Sequence, residues 1–303
     1  MTDDLLPSWR AGATRDEVEA FLEAAADVPV EQRVACFDND GTLWCERPSY
    51  VQLDFFLDAM KTALQADPKL AEKPEFAALV SGDQAAIGEL GLDRIAVALS
   101  GLFEGQTPEE FTALARDFMA RGRHQGLDRP IREVTYQPML ELLAALRQLD
   151  FTLCVVTGGG TEFVRAVSQD LYGVPSQNVV GSMVAYEFVP TADDGTGPSL
   201  RRTTQLVGEA NEGAVKVNHI QTQLGRRPIL AAGNSGGDRE MLEWATAADG
   251  PSLALLVDHD DADREFAYVS SAVTFAEPEP ITDVGHRLGW TVVSMANDWS
   301  RIF

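Results

Sequence analysis

The stretch Arg33–Glu46, RVACFDNDGTLWCE, decides how this chain folds. Val34 to Phe37 form a short apolar run, the pattern of a strand buried on both faces. The run leads directly into Asp38 and Asp40, one residue apart, and then Gly41 and Thr42. Two carboxylates this close repel, and each loses hydration where it is even partly buried. A strand that ends this way needs a positive partner, a metal ion or a lysine, at its carboxyl end.

Upstream, TRDEVEAFLEAA carries Thr14 and Glu17 at capping-box spacing and predicts a helix. Downstream, from Ser49 to about Gln125, apolar residues recur at helical spacing, as in SYVQLDFFLDAMKTALQ. In TPEEFTALARDFMAR, Thr107 is placed to cap, Pro108 to open the first turn and Glu110 to complete a capping box. From about Arg129 the character changes to alternating strands and helices. The strands are FTLCVVTGGG, NVVGSMVAYEFV, SLRRTTQLV, PILAAGN, SLALLV and WTVVSM, the second and third flanking the turn-rich PTADDGTGPS. Helical patterns such as TEFVRAVSQDLYG and NEGAVKVNHIQTQL lie between them, and DHDDADRE reads as a loop and an acidic helix start. Such alternation predicts an α/β fold, a doubly wound parallel sheet covered on both faces. The helical block, residues 48–129, interrupts a core made of residues 1–47 and 130–303.

Composition narrows the function. The 303 residues are 45% hydrophobic and 23% charged, ordinary for a globular protein, with a formal net charge of −23. No dense Lys/Arg cluster is present, so a nucleic-acid partner is not expected. No run of about eighteen apolar residues occurs, and MTDDLLPSWR lacks a basic start followed by an apolar core. A cytoplasmic protein without a membrane span is the expectation. The three cysteines form no C-x-x-C pair, and Cys36 and Cys154 lie in strand-like runs, which suits buried thiols in a reducing compartment.

Ligands of open parallel sheets bind at the carboxyl ends of the strands, and here those ends are polar. The first carries Asp38 and Asp40; the next, Thr157 with Gly158, Gly159 and Gly160; a third, GNSGGD, carries Asn234 and Asp238. Lys216 lies near the start of the helix before that third strand. A divalent cation bound by Asp38, Asp238 and a backbone carbonyl would offset the repulsion, and oxygen donors suit magnesium. Each piece has a plain explanation when taken alone: a turn for D-x-D, a loop for the glycines, a solvated lysine, a helix cap for Asp238. Phe163 also breaks the dinucleotide-binding glycine pattern. Their joint occurrence, in order and at strand ends, is what carries the functional reading.

DNDGT after an apolar strand, VVTGGG, a helix-borne lysine and GNSGGD together resemble the four motifs of the haloacid dehalogenase (HAD) superfamily of hydrolases. The phosphoserine-phosphatase-like branch is the most similar, with the helical block matching that family's cap. The resemblance implies a HAD-type Rossmann-like fold and a magnesium-dependent phosphatase acting on a small phosphorylated metabolite. It makes Asp38 the nucleophile that forms an aspartyl phosphate, and Asp40 the acid that protonates the leaving alkoxide and then the base that activates water. Thr157, Gly158 and Gly159 would bind phosphate, and Lys216 would neutralise charge. Asp38, Asp40, Asp238 and Asn234 would form the Mg²⁺ site. Thr157 stands where relatives often carry serine, and Asn234 where they often carry aspartate. Asp40 argues against dehalogenation, because a halide needs no proton.

Weaker candidates surround this set. Glu46 lies where phosphoserine phosphatases carry a glutamate that contacts the substrate's amino group; a surface or hinge placement competes with that role. Trp44 is read as packing at the hinge or walling the site. Arg123 or His124 could reach an anionic substrate, and a solvated turn is the plainer reading of both. His219, His259 and His286 show no ligand spacing. Two rival functions remain at this level: a phosphotransferase or mutase on the same scaffold, and a phospho-accepting binding module without turnover. Asp40, Lys216 and the large helical block speak against the second.

Overall fold

Burial along the first strand sets the frame. β1 (Val34–Phe37) is buried throughout. Val34 and Cys36 face one apolar cluster and Ala35 and Phe37 the other, the two-residue period of a strand covered on both sides. The computed structural model describes residues 5–191 and 197–303. Among these, β2 (Thr152–Gly160), β3 (Val179–Val189), β4 (Ser199–Val207), β5 (Leu230–Gly233), β6 (Leu253–Asp258) and β7 (Thr291–Ser294) join β1 in one seven-stranded sheet of order β4-β3-β2-β1-β5-β6-β7. All neighbours are parallel except β3 and β4, an antiparallel pair at one edge. Part of the turn-rich link between that pair, PTADDGTGPS, lies outside the described residues.

This order positions the site. From β1 the chain builds outward through β2, β3 and β4, then returns to the other side of β1 for β5, β6 and β7. The winding reverses between β1 and β5, and the crevice at such a reversal is where ligands bind. Asp38 follows β1, and its amide donates to Ala232 O on β5 at 2.8 Å. Cys36 and Cys154, in register on β1 and β2, are buried free thiols, as expected.

Helices Val51–Ala66, Pro74–Ser81, Gln84–Leu90, Leu92–Ser100 and Pro108–Arg121 fill the interval after β1. The capping box at Thr107 and Glu110 forms as the sequence predicts. Met60, Phe76, Ile95 and Leu99 make a small apolar cluster within this block. Phe55, Phe103, Phe111 and Phe118 instead join the main core, with Phe55 stacked on Phe163 of the helix Thr161–Tyr172 at 5.1 Å between ring centroids. Buried aromatic pairs of this kind add about 0.5–1.5 kcal/mol beyond area burial. The helical block is therefore seated on the sheet domain through a shared aromatic core.

Two local expectations are corrected. Thr14 does not cap its helix: Gly12 precedes the helix Ala13–Ala25 with no side-chain cap. Thr14 falls inside the first turn, past the position from which a hydroxyl reaches the free amides. DHDDADRE starts no helix either. Asp261 Oδ1 accepts from the amides of Asp263 and Arg264, forming a turn, and Arg264 is held by the carbonyls of Trp299 and Met295.

Candidate active site

Lys216 is the hub. It lies in the first turn of the helix Ala214–Leu224 and is almost wholly buried. Its ammonium donates to Asp38 Oδ1 at 2.6 Å, Asp238 Oδ1 at 2.6 Å and Val156 O at 2.9 Å. An ammonium has three protons, so all three are committed. Burial alone would pull Lys216 down; Asp238 and Asp38 outweigh it and hold the ammonium above the ordinary lysine range. Burial, then the charge of Asp238, push Asp38 well above the usual carboxylate range, with Lys216 opposing them.

Asp238 is built in by its own loop. Its Oδ2 accepts from the amides of Asn234 (3.0 Å) and Ser235 (3.1 Å) and from Ser235 Oγ (3.3 Å). The carboxylate therefore closes the turn that precedes its helix and does not cap the helix that follows, where no side-chain cap forms. A Cβ at Gly233 would collide with this carboxylate, which accounts for the glycine that ends β5. Gly41 has a similar reason: its φ is +76°, and a side chain there would meet the Asn234 amide.

Asp40 is half-buried, and its Oδ1 accepts from Trp44 Nε1 at 2.8 Å while Oδ2 faces Asn39 Nδ2 at 3.3 Å. Burial raises Asp40 above the ordinary carboxylate range, and the bonds from Trp44 and Asn39 only partly offset it. A carboxyl raised by its surroundings suits an acid that must hold a proton. Trp44 itself is fully buried against Phe163 and Tyr172, so its rigid ring fixes Asp40.

Thr157 is buried at the end of the apolar part of β2, and its Oγ1 accepts from Gly159 N at 2.9 Å. The hydroxyl proton remains to be donated, so the contact leaves Thr157 able to bind an anion. Gly158 accepts from Ser182 Oγ at 2.8 Å, and Gly160 donates to Gln52 Oε1 at 2.8 Å. Asn211 supports this strand end by donating to Thr157 O at 2.9 Å, with His219 Nδ1 on its other amide atom at 2.9 Å.

Glu46 is buried, and its Oε1 accepts from Asn234 Nδ2 at 3.2 Å. Burial raises its carboxyl, with His259 opposing. Its surface placement is thereby corrected: the carboxylate faces inward because Asn234 offers it a donor. Tyr50, just before the first helix of the block, is raised by burial, with the charges of Glu46 and Asp40 adding to it. Arg123 pairs with Asp128 at 2.9 Å, while His124 is buried, not solvated, and its Nδ1 accepts from Gly126 N at 3.3 Å.

Strand ends thus bring together Asp38, Asn234 and Asp238, with Lys216 bridging Asp38 and Asp238, Glu46 joined through Asn234, and Asp40 two residues from Asp38. Sequence reasoning missed Gln52, Trp44's bond to Asp40, Asn211 and His259. The family model described as haloacid dehalogenase-like hydrolase matches residues 35–243. The chain belongs to that family. The first of the similar solved structures, a protein with unknown function from Bordetella pertussis Tohama I, shares 19% identity over 86% of this chain and 98% of that one, with a TM-score of 0.53. A HAD family hydrolase from Salmonella enterica serovar Typhi shares 14% identity over 89% and 68% of the two chains, with a TM-score of 0.43. A phosphoserine phosphohydrolase-like protein from Francisella tularensis shares 15% over 84% and 99%, with a TM-score of 0.40. No curated protein sequence matches the chain.

Among the described residues, no helix is long and apolar enough to cross a membrane.

Proposed function

We propose that this chain is a magnesium-dependent phosphatase that hydrolyses a small phosphate monoester through an aspartyl phosphate on Asp38. The observation that carries the reading is the buried lysine bridging Asp38 and Asp238 at a topological reversal, with a second, raised carboxyl two residues from Asp38. Asp38 attacks phosphorus. Asp40 gives its proton to the departing alkoxide and then takes one from the water that opens the acyl phosphate. Thr157 and the strand-end amides bind phosphate oxygens, and Lys216 limits the repulsion as two anions meet.

The residues present fit a magnesium ion. Asp38 and Asp238 share one lysine, with Asp40 beside them and no ammonium of its own, so the carboxylates outnumber the cation. Among the described residues no three His, Cys, Asp or Glu side chains form a ready-made cage. The shell must then be filled by amide, carbonyl, water and phosphate oxygens, as magnesium prefers. Asp38 and the Asp40 backbone carbonyl would hold it. Asn234 would add its amide oxygen, which has only a long 3.4 Å contact from Thr42 Oγ1. Asp238, held by three donors on one oxygen and by Lys216 on the other, would bind the ion alongside Asp38 and also orient the lysine. When bound, the ion supplies charge neutralisation at the transferring phosphoryl group.

Residues 48–129 are proposed as the cap that selects the substrate, and residues 1–47 and 130–303 as the core. Gln52 supports this, because it brings the start of the block to Gly160 at the end of β2.

Phosphate release across a library of phosphorylated metabolites is the test. Activity is expected with magnesium, and is expected to fall with calcium, whose longer bonds and larger shell can capture a second oxygen of Asp38. Equal rates in magnesium and in chelator would refute the metal. Asp40→Asn is expected to slow phosphoenzyme formation from an alkyl phosphate by about 10²–10⁴-fold. The loss should be far smaller with p-nitrophenyl phosphate, whose leaving group departs without a proton.

A further inference from the structure

His259 follows the last residue of β6 and is buried behind the loop that carries Asp40. Its Nε2 lies 2.8 Å from Gly41 O. A carbonyl only accepts, so Nε2 carries the proton and donates. Gly41 is thereby clamped at both ends, because its own amide donates to Trp44 O at 2.9 Å. The residue so fixed sits directly after Asp40, in a left-handed conformation, so the backbone that carries Asp40 is held on its C-terminal side while Trp44 holds the carboxyl itself.

The ring is itself oriented from behind. Its Nδ1 faces Glu265 Oε2 at 3.4 Å, and both side chains are fully enclosed. Glu265 also accepts from Cys45 Sγ at 2.9 Å, Tyr136 OH at 2.9 Å and the Phe266 amide at 2.6 Å. Burial alone would raise Glu265; the bonds from His259 and Cys45 outweigh it and hold the carboxyl below the ordinary glutamate range. Tyr268 stacks on the imidazole at 4.4 Å between centroids and 22° between planes. A ring gripped on one face and at both nitrogens has one orientation. None of these groups belongs to the four motifs.

We infer that His259 is a positioning residue: oriented by Glu265, it holds the Gly41 carbonyl and through it the backbone that aims Asp40 at the leaving group. The inference rests on the phosphatase reading above, through the acid role of Asp40. A displaced acid adds a loss for esters that need a proton, beyond any change at the Asp40 carbonyl that both esters would share, so a larger loss for the alkyl ester marks this role.

The experiment compares single-turnover phosphoenzyme formation from β-glycerophosphate, an alkyl ester, and from p-nitrophenyl phosphate. His259→Leu removes the donor and is expected to slow the alkyl ester about 10–100-fold, the scale of a misplacement near 1 Å. The aryl ester should slow by less than about threefold. His259→Gln keeps an N–H directed at Gly41 O and should restore the alkyl rate to within about fivefold of wild type. Where His259→Leu does not fold, the double variant His259→Leu/Glu265→Gln removes the stranded carboxylate charge, keeps an acceptor for Tyr136, and makes the same comparison. Equal losses for both esters, no loss for either, or a glutamine variant no better than leucine would overturn the inference. Asp40→Asn run alongside separates the two levels. Without an ester difference in Asp40→Asn, both readings fall; with that difference but equal losses in His259→Leu, only the positioning role falls.

Discussion

Asp38→Asn is expected to lose phosphate release by on the order of 10⁴-fold or more, because an amide cannot serve as the attacking carboxylate. The variant should fold as well as the wild type. Asn keeps an acceptor for Lys216, which retains Asp238 at 2.6 Å and Val156 O at 2.9 Å. In chelator the variant's stability should even respond differently to pH. Asp38 is held above its unfolded value by burial and by Asp238. The folded state therefore binds that proton more tightly, and wild-type stability drops as pH rises from the ordinary carboxylate range toward the folded value. Asn removes this contribution, so the difference in Tm should move in the variant's favour between pH 4 and neutral, as about the ordinary Asp range is left behind. Phosphate release near the wild-type rate by a folded variant would sink the nucleophile assignment. A wild-type pH slope that the variant shares would show that Asp38 is not the strained group.

Much of this site was legible because its chemistry is local in sequence. The D-x-D pair, the glycines after Val156 and GNSGGD each sit where an apolar strand ends, and strand ends at one edge of a parallel sheet must converge. What was not legible joins segments with no shared local pattern. Gln52 reaches Gly160 across 108 residues, Glu46 reaches Asn234 across 188, and His259 reaches Gly41 across 218. No period or spacing announces a bond of that kind. The bond from Trp44 to Asp40 was hidden for a different reason: the sequence reads Trp44 as a packing residue, and packing against Phe163 and Tyr172 is what aims its indole N–H. DHDDADRE misled in the opposite direction. Its acidic start has the composition of a helix N-terminus, but Asp261 takes the amides of Asp263 and Arg264 in a turn that no helix continues.

The second large effect concerns Lys216. Lys216→Met conserves the length and apolar bulk of the side chain and removes only the cation. Two buried carboxylates, Asp38 and Asp238, then face each other without the ammonium that bridged them at 2.6 Å on each side. Removing one partner of a buried ionic group typically costs about 3–5 kcal/mol, because the remaining charge is left desolvated and unpaired. That loss should appear as an earlier urea midpoint in chelator at neutral pH. The sign of its pH dependence follows from proton uptake. Without Lys216 the burial and repulsion that already raise Asp38 are unopposed, so the folded variant is expected to take up a proton shared by the pair. Stability gained this way grows as pH falls, and the deficit relative to wild type should therefore shrink from pH 8 to pH 5. Magnesium should recover part of the midpoint, since a cation at Asp38 replaces some of the missing charge. Turnover should not recover with it. The lysine acts on the oxygens that gather charge as phosphoryl transfer proceeds, and loss of one such donor costs about 10²–10³-fold. A methionine variant with the wild-type midpoint at neutral pH would mean that the two carboxylates do not depend on Lys216. Full activity in that variant would remove the lysine from the reaction, and with it the compensation that allows β1 to end in buried carboxylates.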